Sequence, residues 1–158
     1  MPITTIFDSN KYLESVLKIL SEFVLEHIPG ISVVIEKPVF DETNIELAKP
    51  TLYLEIMPGR NFEVGMGGII NKQGDKGQEK TINIMAYWFT TNTASGMNGT
   101  LDVINKAQTL EMAFNIDKTS LQSAGLINPQ ISNFRQIPGE ILKGGRQLIT
   151  CKVLLKWS

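Results

Sequence analysis

The feature that most constrains this chain is a long alternation close to its end. From Arg146 to Trp157, Ile149, Cys151, Val153, Leu155 and Trp157 occupy every second position, with Thr150, Lys152 and Lys156 between them. A side-chain period of two belongs to an extended strand with one face against a core. Thr81 to Thr90 repeats the pattern, with Ile82, Ile84, Ala86 and Trp88 opposing Thr81, Asn83, Met85, Tyr87 and Phe89. Its outer end is apolar on both sides, which predicts cover on both faces there. Thr51 to Met57 is a third such strand: Leu52, Leu54 and Ile56 share one side, and Thr51, Tyr53 and Glu55 the other.

Weaker strands are expected at Ile31 to Glu36, within Phe62 to Ile70, and near Gln130 to Gln136. Turns are expected at Pro138-Gly139 and at Gly144-Gly145. Two segments follow helical spacing instead. From Ser9 to His27, Leu13, Leu17, Leu20 and Val24 form a stripe widened by Tyr12, Val16, Ile19 and Phe23. Asp8 or Ser9 can cap its start, and Pro29-Gly30 ends it. A second helix, about Thr100 to Phe114, turns Val103, Ile104, Ala107, Leu110 and Phe114 inward. The predicted fold is α+β: a mostly antiparallel sheet packed by two helices, with a long Gly-rich hairpin loop, in one domain spanning 1–158.

That loop, Pro58 to Lys80, holds Gly59, Gly65, Gly67, Gly68, Gly74 and Gly77. A connection of this length in a small domain is usually functional or disordered. Lys72, Lys76 and Lys80 surround Asp75 and Glu79 near its tip. In a monomer they form a solvated charged loop; in an oligomer they would form a ring of charge.

Composition narrows the functions. The 158 residues suit one domain and are enough to bury roughly 68–70% of the unfolded surface without disulfide or metal. Fifteen basic residues against sixteen acidic ones argue against a nucleic acid as main partner and against anchoring on an anionic membrane. The single cysteine, Cys151, can form no internal disulfide, and its place in the last alternation marks it as a small buried hydrophobe. The first residues do not resemble a signal peptide, and no window reaches the ~18 apolar residues of a membrane span.

A catalytic centre is hard to assemble. His27 is the lone histidine, placed in the last turn of the first helix, where the helix dipole favours an imidazolium. One histidine and one cysteine exclude a zinc site of the usual Cys/His type, and no nucleophile motif accompanies His27. The glycines of Gly65 to Gly68 match no phosphate-binding motif. Asp41, Glu42 and Glu46 lack the spacing of a calcium loop and are expected in solvent. No cofactor is expected. Trp88 and Trp157 are expected to close the core at strand ends, where aromatics also anchor subunit contacts.

The order of elements resembles that of tail terminator (tail tube completion) proteins of long-tailed bacteriophages and prophages. An amphipathic helix ends at His27-Ile28-Pro29-Gly30-Ile31 and leads into a short strand. The strand Pro50-Thr51-Leu52-Tyr53-Leu54-Glu55-Ile56, a long polar hairpin, and Thr81 to Trp88 follow. A helix and two strands then finish the chain, ending Val153-Leu154-Leu155-Lys156-Trp157. The resemblance implies a structural virion protein, a homo-oligomer forming a hexameric ring. Such a ring caps the tail tube and forms the head-tail joining surface. Its partners would be the tail tube protein and a head connector or neck protein, with DNA passing through the lumen. It would be assembled in the host cytoplasm. The loop Asn61 to Lys80, with Lys72, Asp75, Lys76 and Lys80, is then the natural contact to tube or lumen. The alternatives are another neck, minor tail or adaptor protein, an enzyme using Glu55 or Glu63 with Asp41, or a small-ligand binder.

Overall fold

The computed structural model describes residues 2–38, 47–57, 61–62 and 77–156. In chain order these form a 3-10 turn (Ser9–Lys11), α1 (Tyr12–His27), β1 (Ser32–Val34), β2 (Thr51–Met57), β3 (Asn61–Phe62) and β4 (Gly77–Thr90). Then come α2 (Asn92–Ser95), α3 (Gly99–Ile116), α4 (Lys118–Ala124), β5 (Ile127–Ile131), β6 (Arg135–Ile137) and β7 (Lys143–Lys156).

The long alternations pair with each other. β4 and β7, fourteen residues each, run antiparallel from Gly77 opposite Lys156 to Thr90 opposite Lys143. At strand rise this ladder is roughly 45 Å long, and shorter strands fill its two outer edges. On β4, β2 occupies the stretch from Asn83 to Phe89, and β3 pairs further along with Lys80 and Glu79. On β7, β6 pairs with Gly144 to Arg146 and β5 with Ile149 to Lys152. β1 adds a parallel edge strand beside β2. The result is a seven-stranded, mostly antiparallel sheet with helices, the predicted α+β class.

The core lies on one face of this sheet. Ile82, Ile84, Ala86 and Trp88 of β4, Ile149, Cys151 and Val153 of β7, and Leu52 and Leu54 of β2 meet Val16, Ile19, Leu20, Phe23 and Val24 from α1. Val103, Ala107, Leu110 and Phe114 from α3 complete it. Each fully buried large side chain contributes about 1.5–3 kcal/mol. Leu13, placed on the apolar stripe by its spacing, is 38% exposed instead, as the second residue of the helix. Asp8 accepts from the Asn10 amide, as a cap should, though of the 3-10 turn that precedes α1. At the other end the Ile28 amide bonds Val24, and Gly30 takes φ +87°.

Several boundaries differ from the expected ones. β4 begins at Gly77, before Thr81, so the last four residues assigned to the loop are strand. The strand expected at Gln130 to Gln136 is two strands. β5 carries one extra residue between Ile127 and Gln130, where Asn128 sits at φ +49°, a region asparagine tolerates. Gly144-Gly145 is not a turn but the start of β7. A Cβ at Gly144 would lie 2.4 Å from the Phe89 ring and from the Trp88 carbonyl, and one at Gly145 would lie 2.1 Å from the Phe134 ring. These glycines permit close approach of neighbours. The short helices α2 and α4 were not expected. Of the strand proposed within Phe62 to Ile70, only β3 falls among the described residues.

Candidate functional site

The opposite face of the sheet is built from the polar half of each alternation. Tyr53, Glu55 and Met57 of β2, Thr81, Asn83, Met85 and Tyr87 of β4, and Leu148, Thr150, Lys152 and Leu154 of β7 are all half-buried, whereas Arg146 is exposed. Cover on both sides is complete only at the end of β4, where Phe89 and Thr90 are buried.

Register arranges this face into rows. One row runs Val34, Tyr53, Tyr87, Arg146, Arg135 across β1, β2, β4, β7 and β6. Its two arginines are directly opposite each other and both exposed. Like charges facing each other across a ladder are destabilising, and among the described residues neither arginine forms an ion pair. On one side of the row a groove of about 310 Å³ is lined by Met85, Ser132, Arg135, Arg146 and Leu148. On the other side a groove of about 340 Å³ is lined by Lys37, Pro38, Tyr87, Phe89, Ile137, Pro138 and Leu142. No lining residue of either groove comes from a helix.

The aromatics between the grooves hold one another in place. Tyr87 and Phe89 stack with centroids 6.4 Å apart and planes 4° apart, and Tyr53 meets Phe89 edge-on at 6.2 Å. The Tyr87 phenol is held above its ordinary 10.0, first by burial and then by the Glu55 carboxylate to which it hydrogen-bonds; Arg146 pulls it the other way. Glu55 Oε2 is buried and has no hydrogen-bond partner among the described residues. The face can therefore offer flat aromatic area and two guanidinium forks to a partner, beside the half-buried Glu55 carboxylate.

Of the residues singled out in the loop, Lys72, Asp75 and Lys76 lie outside the described residues. Lys80 sits in β4 opposite Val153 and Asn61. Its ammonium donates to the Tyr12 hydroxyl at 3.0 Å and lies 4.8 Å from that ring's centroid, which ties the strand to the first turn of α1. Of the enzyme pairing of Glu55 or Glu63 with Asp41, only Glu55 falls among the described residues. Asp41, Glu42 and Glu46, the glycines 65–68 and Trp157 lie outside them. Trp88 is 1% exposed and belongs to the core. His27 pairs with Asp117 at 2.9 Å, ninety residues away in sequence.

Sequence reasoning missed Arg135, Arg146 and the aromatic row. Alternation placed Tyr53 and Tyr87 off the core side, but only pairing register brings them beside the arginines. Among the described residues no helix is long and apolar enough to cross a membrane. No protein-family model and no curated protein sequence matches the chain.

Proposed function

We propose that this chain is a structural assembly protein of the tail terminator kind, a subunit that closes into a hexameric ring and caps a phage tail tube. The observation that supports the reading is the helix-free sheet face. Tyr53, Tyr87, Phe89, Met57, Met85, Arg135 and Arg146 converge there, and Tyr, Phe, Met and Arg are the residue types enriched in protein interfaces. Among the described residues the facing arginines have no ion-pair partner, and carboxylates of a neighbouring molecule would supply one. In a ring each subunit uses two different patches, so this face would meet a separate surface of the next copy. The segment between β3 and β4, with Lys72, Asp75 and Lys76, is assigned to the tail tube, and the remaining end of the ring to the head connector or neck protein. The protein would then reside in the tail or neck of the virion after assembly in the host cytoplasm.

Light scattering across a concentration series tests the reading. A discrete ring-sized mass, abolished by Arg146→Glu without loss of folded signal, is the expected result. An Arg146→Glu protein that assembles like the wild type would remove this face from the contact. A monomer at every concentration, even with tube protein added, would leave an adaptor of another kind.

A further inference from the structure

We propose that Glu26, His27 and Asp117 form a binding site for a first-row divalent cation, at the point where the C-terminal ends of α1 and α3 meet. One imidazole nitrogen and two carboxylate oxygens, one from each residue, lie within 4.8 Å of one another. Imidazole with carboxylates is a donor set for Zn²⁺ and its first-row neighbours, whereas Ca²⁺ takes six to eight oxygens. Three protein ligands with room for water match the open type of zinc site.

The surroundings orient the donors. The His27 ring packs on Phe23 with centroids 4.6 Å apart, and Phe23 in turn meets Phe114 of α3 edge-on at 5.5 Å. The Ser120 hydroxyl donates to Asp117 Oδ1 at 2.6 Å, leaving Oδ2 toward His27 Nε2. Outer hydrogen bonds of this kind fix ligating carboxylates. Charge adds a second argument. His27 is in the last turn of a sixteen-residue helix and Asp117 follows the end of an eighteen-residue one. Two C-terminal ends of partial negative charge therefore lie beside the carboxylates, against one N-terminal end, that of the seven-residue α4, which begins after Asp117. Lys118, the nearest lysine in sequence, lines a different groove with Glu111 and Asn115.

The site is also accessible. His27 and Asp117 side chains are 25% and 26% exposed, and His27 opens into a groove of about 540 Å³ beside Thr109 and Met112. A plain His27–Asp117 ion pair is the competing account, and it gives Glu26 no part.

The test is calorimetric titration of the tag-free full chain with ZnCl₂ at pH 7.5, supported by the visible spectrum of the Co²⁺ form. One equivalent should bind and raise the melting temperature. His27→Gln and Asp117→Asn should each weaken binding at least about tenfold, in keeping with loss of a ligand contact. Because Asp117 also caps a helix, Glu26→Gln is the sharper variant: it should weaken Zn²⁺ while leaving the metal-free melting temperature unchanged. No saturable binding below millimolar Zn²⁺, or equal binding by wild type and Glu26→Gln, would overturn the proposal.

Discussion

The indole Nε1 of Trp88 donates to Oε1 of Gln147 at 2.7 Å, and both side chains are 1% exposed. The Gln147 amide nitrogen in turn donates to Glu111 Oε1 at 2.8 Å, and that same oxygen accepts the Phe134 backbone amide at 3.1 Å. One glutamine therefore joins β4, β7, α3 and the segment before β6. Gln147→Met keeps the bulk but strands the indole N–H, and should cost about 1–3 kcal/mol. Urea unfolding should show a lower midpoint with an unchanged slope. Adding Trp88→Phe should cost less than the sum of the single changes, since no unpaired donor then remains.

Gly144 and Gly145 should both resist change to alanine. At Gly145 an added Cβ would lie 2.1 Å from the Phe134 ring and 2.6 Å from the Arg135 carbonyl, so Gly145→Ala should lose about 1–3 kcal/mol and recover only part of it with Phe134→Leu. At Gly144 one obstacle is the Trp88 carbonyl, which cannot be trimmed. Gly144→Ala should therefore stay destabilised with Phe89→Leu. Melting temperatures of the four proteins check both statements.

Glu22 clamps the N-terminal segment. Burial alone would raise its carboxyl, but the amides and hydroxyls of Thr5 and Thr4 all donate to it, at 2.9–3.2 Å, and the net shift is downward from 4.5. A carboxyl lowered in the folded state stabilises fully above its unfolded value, and that contribution is lost as pH falls through the folded one. Amide exchange at Thr4 and Thr5, corrected for intrinsic rate, should accelerate as pH falls below the carboxyl's ordinary 4.5 and through its lowered folded value, while core amides stay protected. Glu22→Gln should remove this pH dependence.

Cys151 is fully buried opposite Ile82, and burial pushes its thiol up to about 12. Because the thiolate is the reactive form, a thiol reagent should leave the native protein unmodified at neutral pH. Labelling should follow global unfolding in urea. Labelling under native conditions would mean that β7 opens locally.

How much of this was legible in sequence depends on the range of the interaction involved. Strand faces and the helix stripes follow from local periodicity, and β2 matched its expected limits because the alternation of Leu52, Leu54 and Ile56 is clean. Gly144-Gly145 suggested a turn because glycine marks both tight turns and close packing, and only the positions of Phe89 and Phe134 separate the two. The early start of β5 and its bulge at Asn128, and the break at residues 132–134 that separates β5 from β6, have no periodic signature. The arginine row and the Glu26, His27, Asp117 cluster are products of register and helix packing. Their members are far apart in the chain, and each alone is an ordinary surface residue.

The pairing of β4 with β7 also sets a timetable. Every rung of that ladder joins residues separated by roughly 50 to 80 positions, the kind of distant closure that slows folding. On a ribosome, α1 and β2 emerge long before the centre of their sheet can exist. β2 can pair with β4 as soon as both are out, but the other edge of β4 must wait, unpaired, until β7 has left the exit tunnel. Nascent chains halted before Lys143 should therefore be protease-sensitive and chaperone-bound, and resistance should arrive in a single late step.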